Sequence, residues 1–533
     1  MVRYWLLSLV ILLTPVLAFG APLTSEELRE DFEHFWSSYK EAYVFWELKA
    51  QDHGVDWIQM RQEYEPTLQS VSSKRELLRL ITEMQTRLHD GHCGNEGMTA
   101  VGPIALIRGV AFVDTAGHKV HVRAVAPGSL IAAEGVETGD EVLTWNGQPV
   151  AKLARQARSL MGASSEGQFW SMFAQLFQIH HPYLGAPAEK CACSFKKPDG
   201  TIIEAELPWD FIDPTGGKAA PSLKQVIEID AAGPLPMKAM IFQDLNVAYV
   251  SLQSFMKPEF PKAQLDKIFA AIKDTDALIL DLRSNGGGVG PWGVLLANYM
   301  AEEGPDGAYM ERLYSKTFFR AILGQMPPEQ LEAMLSNPQY VKMILDKLGV
   351  EMSLEEIQSQ FMNGQYKPFY HSTKLSEMVP QDLTPGVAPY LKPVYALTNG
   401  GCYSTTDICL KILKDLNRVT IIGTPNGAGS GSPIPITLPN SKVKVMVPHA
   451  RAYPASGDMI EGRPLTPDHI VEVTQEDLVK GVDRHIVTAL ALAGRHIGIL
   501  GGVTKFSPAA VELNHHDLAT KIVVDTTGNS KIP

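Results

Sequence analysis

Apolar positions recur at helical spacing over the first hundred residues, alternate at strand spacing over the next hundred, and then fall into short uninterrupted blocks. Thr24-Ser-Glu-Glu27 is a capping box followed by Phe32, Phe35, Trp36, Tyr39, Tyr43 and Trp46, which predicts a helix with an aromatic face. A second box, Ser73-Lys-Arg-Glu76, opens a helix whose face is Leu77, Leu80, Ile81, Met84 and Leu88. That helix should stop near Asp90-Gly91, with Gly91 as its left-handed cap. His92 then falls on the loop just past the helix end.

Residues 99–210 change period. Val110–Val113, Val120–Val125 and Glu141–Trp145 read as strands between Pro and Gly turns. A helical stretch from Gln168 to Ile179 interrupts them, and Lys190–Leu207 reads as a hairpin turning at Pro198-Asp-Gly200, with Cys191 and Cys193 on one face. Residues 211–244 form a linker, rich in Pro and Gly from Ile212 to Pro221. Val247–Leu252, Ala263–Ile272 and Ala277–Leu282 then give strand, helix and strand, and a helix follows from about Trp292 to Met300. Residues 305–390 read as a mostly helical insertion, with helix starts at Pro328 and Ser353. The sheet resumes over 391–494 with Val394–Leu397, Val419–Ile422, a hairpin from Ile434 to Val447 and a closing helix from Gln475 to Ala493; 495–533 is a weakly patterned tail. The expected fold is mixed α/β and multidomain: a helical N-terminal domain (21–98), a β-rich domain (99–210) and an α/β core split in two (245–304 and 391–494). Strand–helix–strand order implies a parallel sheet with its ligands beyond the strand C-termini.

The 533 residues suffice for several cores, and 45% hydrophobic with 20% charged residues is ordinary globular composition. The net charge of −12 argues against nucleic acid or anionic membrane as the main partner. Residues 1–20 read as a secretory signal: Arg3, an apolar run from Leu6 to Leu13, and small residues at Ala18 and Gly20 for a cut after Gly20. A secreted or periplasmic protein with no membrane span after signal removal is expected. The five cysteines are an odd count with no zinc spacing, best read as buried thiols, with Cys93 and Cys402 as potential neighbours or a disulfide. His89, His180, His181, His449 and His469 show no ligand spacing, so no metal and no cofactor are expected.

Candidate chemistry gathers at Val394-Tyr-Ala-Leu397, Asn399-Gly-Gly401 and the apolar positions Ile408, Ile412 and Leu413. A strand, a glycine turn and a helix opening at Ser404 put that hydroxyl on a first turn. There, unpaired N–H groups and the helix dipole favour negative charge. A helix cap and a nucleophile are both consistent with that position. The glycine run Arg283-Ser-Asn-Gly-Gly-Gly288 follows a strand and can expose N–H groups to an oxyanion; it lacks the endings of a nucleotide loop.

Two resemblances add to this reading. Arg108-Gly-Val-Ala-Phe112, Ala126-Pro-Gly-Ser129 and Gly135-Val-Glu-Thr-Gly-Asp-Glu-Val-Leu143 with Asn146-Gly147 resemble a PDZ domain. That resemblance implies that Arg108, Gly109, Val110, Ala111 and Phe112 form a loop for peptide carboxyl termini. Leu88-His-Asp-Gly-His92, Leu280–Gly288, Leu397–Asp407 and Met459-Ile-Glu-Gly462 with Thr466-Pro-Asp468 together resemble the carboxyl-terminal-processing (tail-specific) serine peptidases, tricorn-core-like branch. The resemblance implies Ser404 as nucleophile, His92 as general base and Glu461 as its orienting carboxylate, with the N–H groups of Gly286, Gly287 and Thr405 as the oxyanion hole. The tail-specific branch has a lysine where this chain has Gly429, so a serine–lysine dyad is not expected. Polypeptide substrates recognised through their C-termini follow from the same resemblance. The alternatives are a peptide- or lipid-binding protein on the same scaffold, and an acyl hydrolase that is not a peptidase.

Overall fold

The computed structural model describes residues 22–496 apart from 97–103, 178, 181–186, 213–234, 243–244, 303, 305, 325 and 361–366. The expected signal, most of the linker and the tail lie outside the described residues.

The helix Ser25–Ala42 starts as read, with Thr24 and Glu27 exchanging both hydrogen bonds of the capping box. The aromatic run does not stay in one helix. Tyr43 turns extended, and Trp46–His53 and Trp57–Ser70 form two more helices before Lys74–Thr86, which Ser73 caps. Phe35, Tyr39 and Trp57 stack across these helices, so the aromatic face holds helix to helix. The left-handed residue after Lys74–Thr86 is His89 (φ 48°), not Gly91. Gly91 is glycine for space: a Cβ there would lie 2.5 Å from the Gln168 side chain and 2.8 Å from the Tyr403 hydroxyl.

This helical unit shares one apolar core with the hairpin Pro433–Thr437 and Lys444–Pro448. Gly94–Asn95 adds to that hairpin as a short antiparallel strand, and the Tyr39 hydroxyl donates to the Met446 carbonyl (2.5 Å). The loop carrying His92 is thereby fastened to the far half of the chain.

The middle domain is a six-stranded antiparallel sheet in the order Val110–Thr115, Lys119–Val125, Glu141–Trp145, Lys190–Lys196, Ile202–Pro208, with Gln148–Pro149 pairing off this path with Glu141–Trp145. Cys191 and Cys193 are buried side by side, as the alternation required. The helix Glu166–Leu176 packs against Val110–Thr115, with Phe177 on Phe112 and Trp170 stacked on His118.

The core is a six-stranded sheet: Met237–Phe242, Val247–Leu252, Ala277–Asp281, Val394–Thr398, Thr420–Gly423 and His469–Ile470, all parallel except the first pair. Alternate side chains serve two faces. Ala248, Val250, Leu278, Leu280 and Ala396 pack under the helices Lys262–Ile272, Gly290–Asn298 and Thr405–Asp415. Val247, Ile279, Tyr395, Leu397 and Ile422 pack against Arg484–His496. The closing helix is two helices, because Gly481 (φ 64°) ends Gln475–Lys480.

The insertion is helical between two strands that the sequence reading missed. Tyr309–Tyr314 pairs with Phe369–Lys374 on one side and Ala450–Tyr453 on the other. Its helices join the core of the N-terminal helices, and the Glu41 carboxylate accepts hydrogen bonds from Lys316 N–H and the Thr317 hydroxyl. No helix among the described residues is long and apolar enough to cross a membrane.

Candidate active site

Ser404 stands between the strand Val394–Thr398 and the helix Thr405–Asp415, at φ 59° and ψ −117°. That backbone region is unfavourable for serine by about 1–3 kcal/mol, and strain of this kind persists only where the surroundings enforce it. Asp407 does so here. Its buried carboxylate accepts Ser404 N–H (2.9 Å), Gly429 N–H (2.7 Å) and Asn426 Nδ2 (2.6 Å), tying the serine turn to the loop 424–430. Burial pushes the Asp407 carboxyl up to about 8 despite those donors.

Ser404 Oγ lies 3.0 Å from His92 Nε2 across 312 residues of sequence. That is within reach for proton transfer. Burial holds the His92 imidazole below its ordinary value, with the Asp90 carboxylate pulling the other way. An NMR pH titration of the His92 ring should therefore have its midpoint below 6.5. A midpoint above it would mean that Asp90 outweighs burial.

Glu461 is fully buried and makes no direct hydrogen bond to His92, contrary to the expected carboxylate-on-imidazole contact. Its partners are the Lys49 ammonium (2.8 Å) and Ser430 N–H (3.3 Å). Burial and Asp90 push the Glu461 carboxyl up to about 7, against the pull of Lys49 and Ser164. Lys49 is 1% exposed and also donates to the His89 carbonyl (2.7 Å). The Coulombic pull of Glu461 and Asp90 outweighs desolvation and holds the ammonium above its ordinary value. Asp90, His92 and Glu461 bring one ligand-type atom each within 4.8 Å of one another. Lys49 already supplies the positive charge on Glu461, so ion pairing accounts for the cluster without a metal.

Asp90, Lys49, Tyr403 and Ser164 belong to the site and were missed in the sequence. Asp90 accepts His92 N–H (2.8 Å) and the Tyr43 hydroxyl (3.1 Å) and stands 3.8 Å from Nδ1. The Tyr403 hydroxyl lies 3.1 Å from His92 Nδ1 and 2.8 Å from Ser164 Oγ, with its ring against the imidazole. The ring fills the place where a side chain at position 429 would point: a Cβ on Gly429 would lie 2.0 Å from Tyr403 Cζ. Gly429→Ala should therefore expel the tyrosine ring and cost about 1–3 kcal/mol, the usual range for overpacking. Denaturant unfolding checks the cost; an unchanged midpoint would contradict it.

The glycine loop covers the nucleophile. A Cβ on Gly287 (φ 89°) would lie 2.7 Å from Ser404 Cβ and 2.8 Å from Thr405 N. Gly287 N–H, expected in the oxyanion hole, already donates to Asn285 Oδ1 (3.0 Å), a local side-chain turn that takes it out of that role in this arrangement. The N–H groups of Gly286 and Thr405 find no acceptor among the described residues. Arg283 shapes the loop from behind, paired with Asp281 (2.6 Å) and Asp483 (2.8 Å). Cys93 and Cys402 are free buried thiols, not a disulfide. Val110 and Phe112 lie in the separate core of the middle domain, and Arg108 is paired with Asp210 (3.2 Å); Gly109 (φ 80°) and Ala111 complete that loop. None of the five is hydrogen-bonded to the Ser404 cluster.

Residues 246–471 match the model of peptidase family S41, and residues 24–86 match the tricorn protease C1 domain. A carboxy-terminal-processing protease of Bartonella bacilliformis is 38% identical over 93 residues, 17% of this chain and 21% of that protein. The chain thus aligns with about a fifth of the curated relative's length. Among solved structures, mature CPAF complexed with lactacystin superposes with a TM-score of 0.65 at 17% identity, covering 89% of this chain and 99% of that one. Mature CPAF alone gives 0.62 at 17% identity, covering 85% and 94%. At that identity the likeness is one of fold. Together, the S41 match over the core, the tricorn C1 match over the helices ahead of it and the processing-protease relative support the carboxyl-terminal-processing peptidase family for this chain.

Proposed function

We propose that the protein is a secreted serine peptidase in which His92 takes the Ser404 proton, Ser404 attacks a peptide carbonyl, and water then hydrolyses the acyl-enzyme. The observation that carries this reading is the 3.0 Å approach of Ser404 Oγ to His92 Nε2 at the mouth of a parallel sheet. The chemistry balances. The C–N bond breaks as the amine takes the proton from His92; a water then adds its hydroxyl to the acyl carbon while His92 takes the water proton, and His92 returns that proton to Ser404 Oγ as the ester C–Oγ bond breaks. Gly286 and Thr405 are the oxyanion donors that the arrangement leaves free, and Gly287 would join them only after releasing Asn285. Glu461 makes no direct bond to His92 and pairs with Lys49 in the protein interior, while the Asp90 carboxylate stands 3.8 Å from Nδ1.

The substrates are polypeptides, and the PDZ-like middle domain would receive their carboxyl termini at 108–112. The helix Glu166–Leu176 packs on the neighbouring strand while its N-terminal turn touches the nucleophile loop, so substrate docking and the Ser404 site share one element. Export by the N-terminal signal fits this role.

The test is a fluorophosphonate probe followed by peptide mapping, alongside digestion of an unfolded polypeptide. An adduct on Ser404 with matching proteolysis is expected. No adduct between pH 6 and 9 and no digestion would leave a carrier as the better description, and an adduct without digestion would indicate a different acyl hydrolase.

A further inference from the structure

The middle domain holds a cavity of about 240 Å³. It is bordered by the helix Val150–Ala157 and the turn after it, the end of the strand Glu141–Trp145, the C-terminal half of the helix Glu166–Leu176, and Trp209. Among the described residues, none that lines it belongs to the Ser404 cluster or to the loop 108–112.

Four of the lining residues carry a buried polar atom that has no hydrogen-bond partner: Nε1 of Trp145 and Trp209, and Oε1 of Gln148 and Gln156. Eleven such side-chain atoms occur among the described residues, so four at one cavity is a concentration. Buried polar groups are normally paired, and a cluster of unpaired ones marks a missing partner. The two indoles are 4% and 7% exposed and cannot turn out to water. Trp145 is wedged between Phe112 and Phe177, and Trp209 packs edge-on to His180. An indole N–H can only donate and a carboxamide oxygen can only accept. The partner must therefore offer both an acceptor and a donor.

Most of the remaining wall is apolar, with Leu153 and Leu160 on one side of the sequence and Phe173 and Leu176 on the other. Water would have to wet those side chains to reach the polar atoms, whereas a ring system covers the wall and pairs the atoms together. No Asp, Glu, Lys or Arg lines the cavity among the described residues. A carboxylate or an ammonium would enter without a counter-ion, so a peptide's terminal carboxyl does not fit.

We propose that this cavity binds an uncharged, ring-sized organic molecule bearing one hydrogen-bond donor and one acceptor, and that the helix Glu166–Leu176 carries its occupancy to the turn before Ser404. The helix is shared between the two places. Phe173 and Leu176 line the cavity, while a Cβ on Gly400 would lie 2.0 Å from Gly167 O and one on Gly401 would lie 3.0 Å from Ser171 Oγ. Ser165, its cap, donates to the Asn426 carbonyl (3.4 Å). Filling the cavity stiffens one end of a rigid element whose other end backs Asn399-Gly-Gly401. The proposal stands whether or not Ser404 is a nucleophile.

The probe is 2-quinolinone, a neutral bicycle whose ring N–H donates and whose carbonyl accepts, added to the full chain at pH 8. In protein labelled with ¹⁵N-tryptophan it should move the indole signals of Trp145 and Trp209 downfield and saturably. Trp145→Phe and Trp209→Phe assign the two signals. N-methyl-2-quinolinone, which lacks the donor, should bind about tenfold more weakly, as should 2-quinolinone to Gln156→Leu, each losing one hydrogen bond. Quinoline-2-carboxylate should not bind, and Ala157→Phe, which fills the space from the helix, should abolish binding. Amide hydrogen exchange over 398–404 should slow when 2-quinolinone is bound, a readout that needs no active serine. The binding site is overturned if neither indole signal moves saturably, or if Gln156→Leu and the N-methyl compound leave the affinity unchanged. Saturable binding with unaltered exchange over 398–404 would overturn the link through the helix.

Discussion

Ser404→Ala should abolish probe labelling and lower turnover by about 10⁶-fold, leaving the roughly 10³-fold residual that oxyanion donors and binding supply without a nucleophile. Two features of the structure set this expectation. The hydroxyl is the group that meets Nε2, and its backbone is held at a strained φ through Ser404 N–H on Asp407, a carboxylate that Asn426 Nδ2 and Gly429 N–H also hold in place. The alanine variant should therefore fold with the turn intact, and its unfolding midpoint should match the wild type within measurement error. Steady-state kinetics on an unfolded polypeptide, with a denaturation curve on the same sample, decides it. Activity within tenfold of wild type would remove Ser404 from the reaction.

Lys49→Met should destabilise the protein by about 3–5 kcal/mol, the usual cost of stripping one partner from a buried ion pair. Glu461 would then sit fully buried beside Asp90 with its one ammonium gone, and the His89 carbonyl would lose its donor. Lys49→Met combined with Glu461→Gln should recover most of that loss, since an uncharged amide does not need a counter-ion. Chemical denaturation of the single and double variants measures both the loss and its recovery. Equal stability of Lys49→Met and wild type would show that the Glu461 carboxyl is protonated in the native state.

Four of the parallel strands were legible to within a residue or two because each is a mainly apolar block closed by a polar or glycine residue, as in Ala277–Asp281 before Arg283 and Val394–Thr398 before Asn399. His469–Ile470, by contrast, is too short to carry a pattern, and Met237–Phe242 fell inside the stretch read as linker. Ser404 and His92 were legible through motif and position. Their contact was not, since it depends on Gly94–Asn95 pairing with residues 350 positions later. Tyr309–Tyr314 escaped because it carries Glu311 and Arg312 between apolar residues, and its partner Ala450–Tyr453 is remote in the chain. Lys49 escaped for a different reason. A lysine among polar neighbours on a short helix reads as a solvated face, and only the arrival of Glu461 from 412 residues away makes it a buried charge. Gly91 was assigned to a left-handed turn, but the turn fell to His89 and the glycine serves to admit a ring.

The order in which the pieces are made has its own consequence. The imidazole of His92 leaves the ribosome hundreds of residues before the Ser404 alcohol and the buried Glu461 carboxylate, and the hairpin that docks the imidazole's loop comes out after the alcohol. A chain still being synthesised holds all the chemistry and none of the geometry. Latency until folding is complete is thus built into the topology, because the site exists only once the early loop and the late hairpin have met.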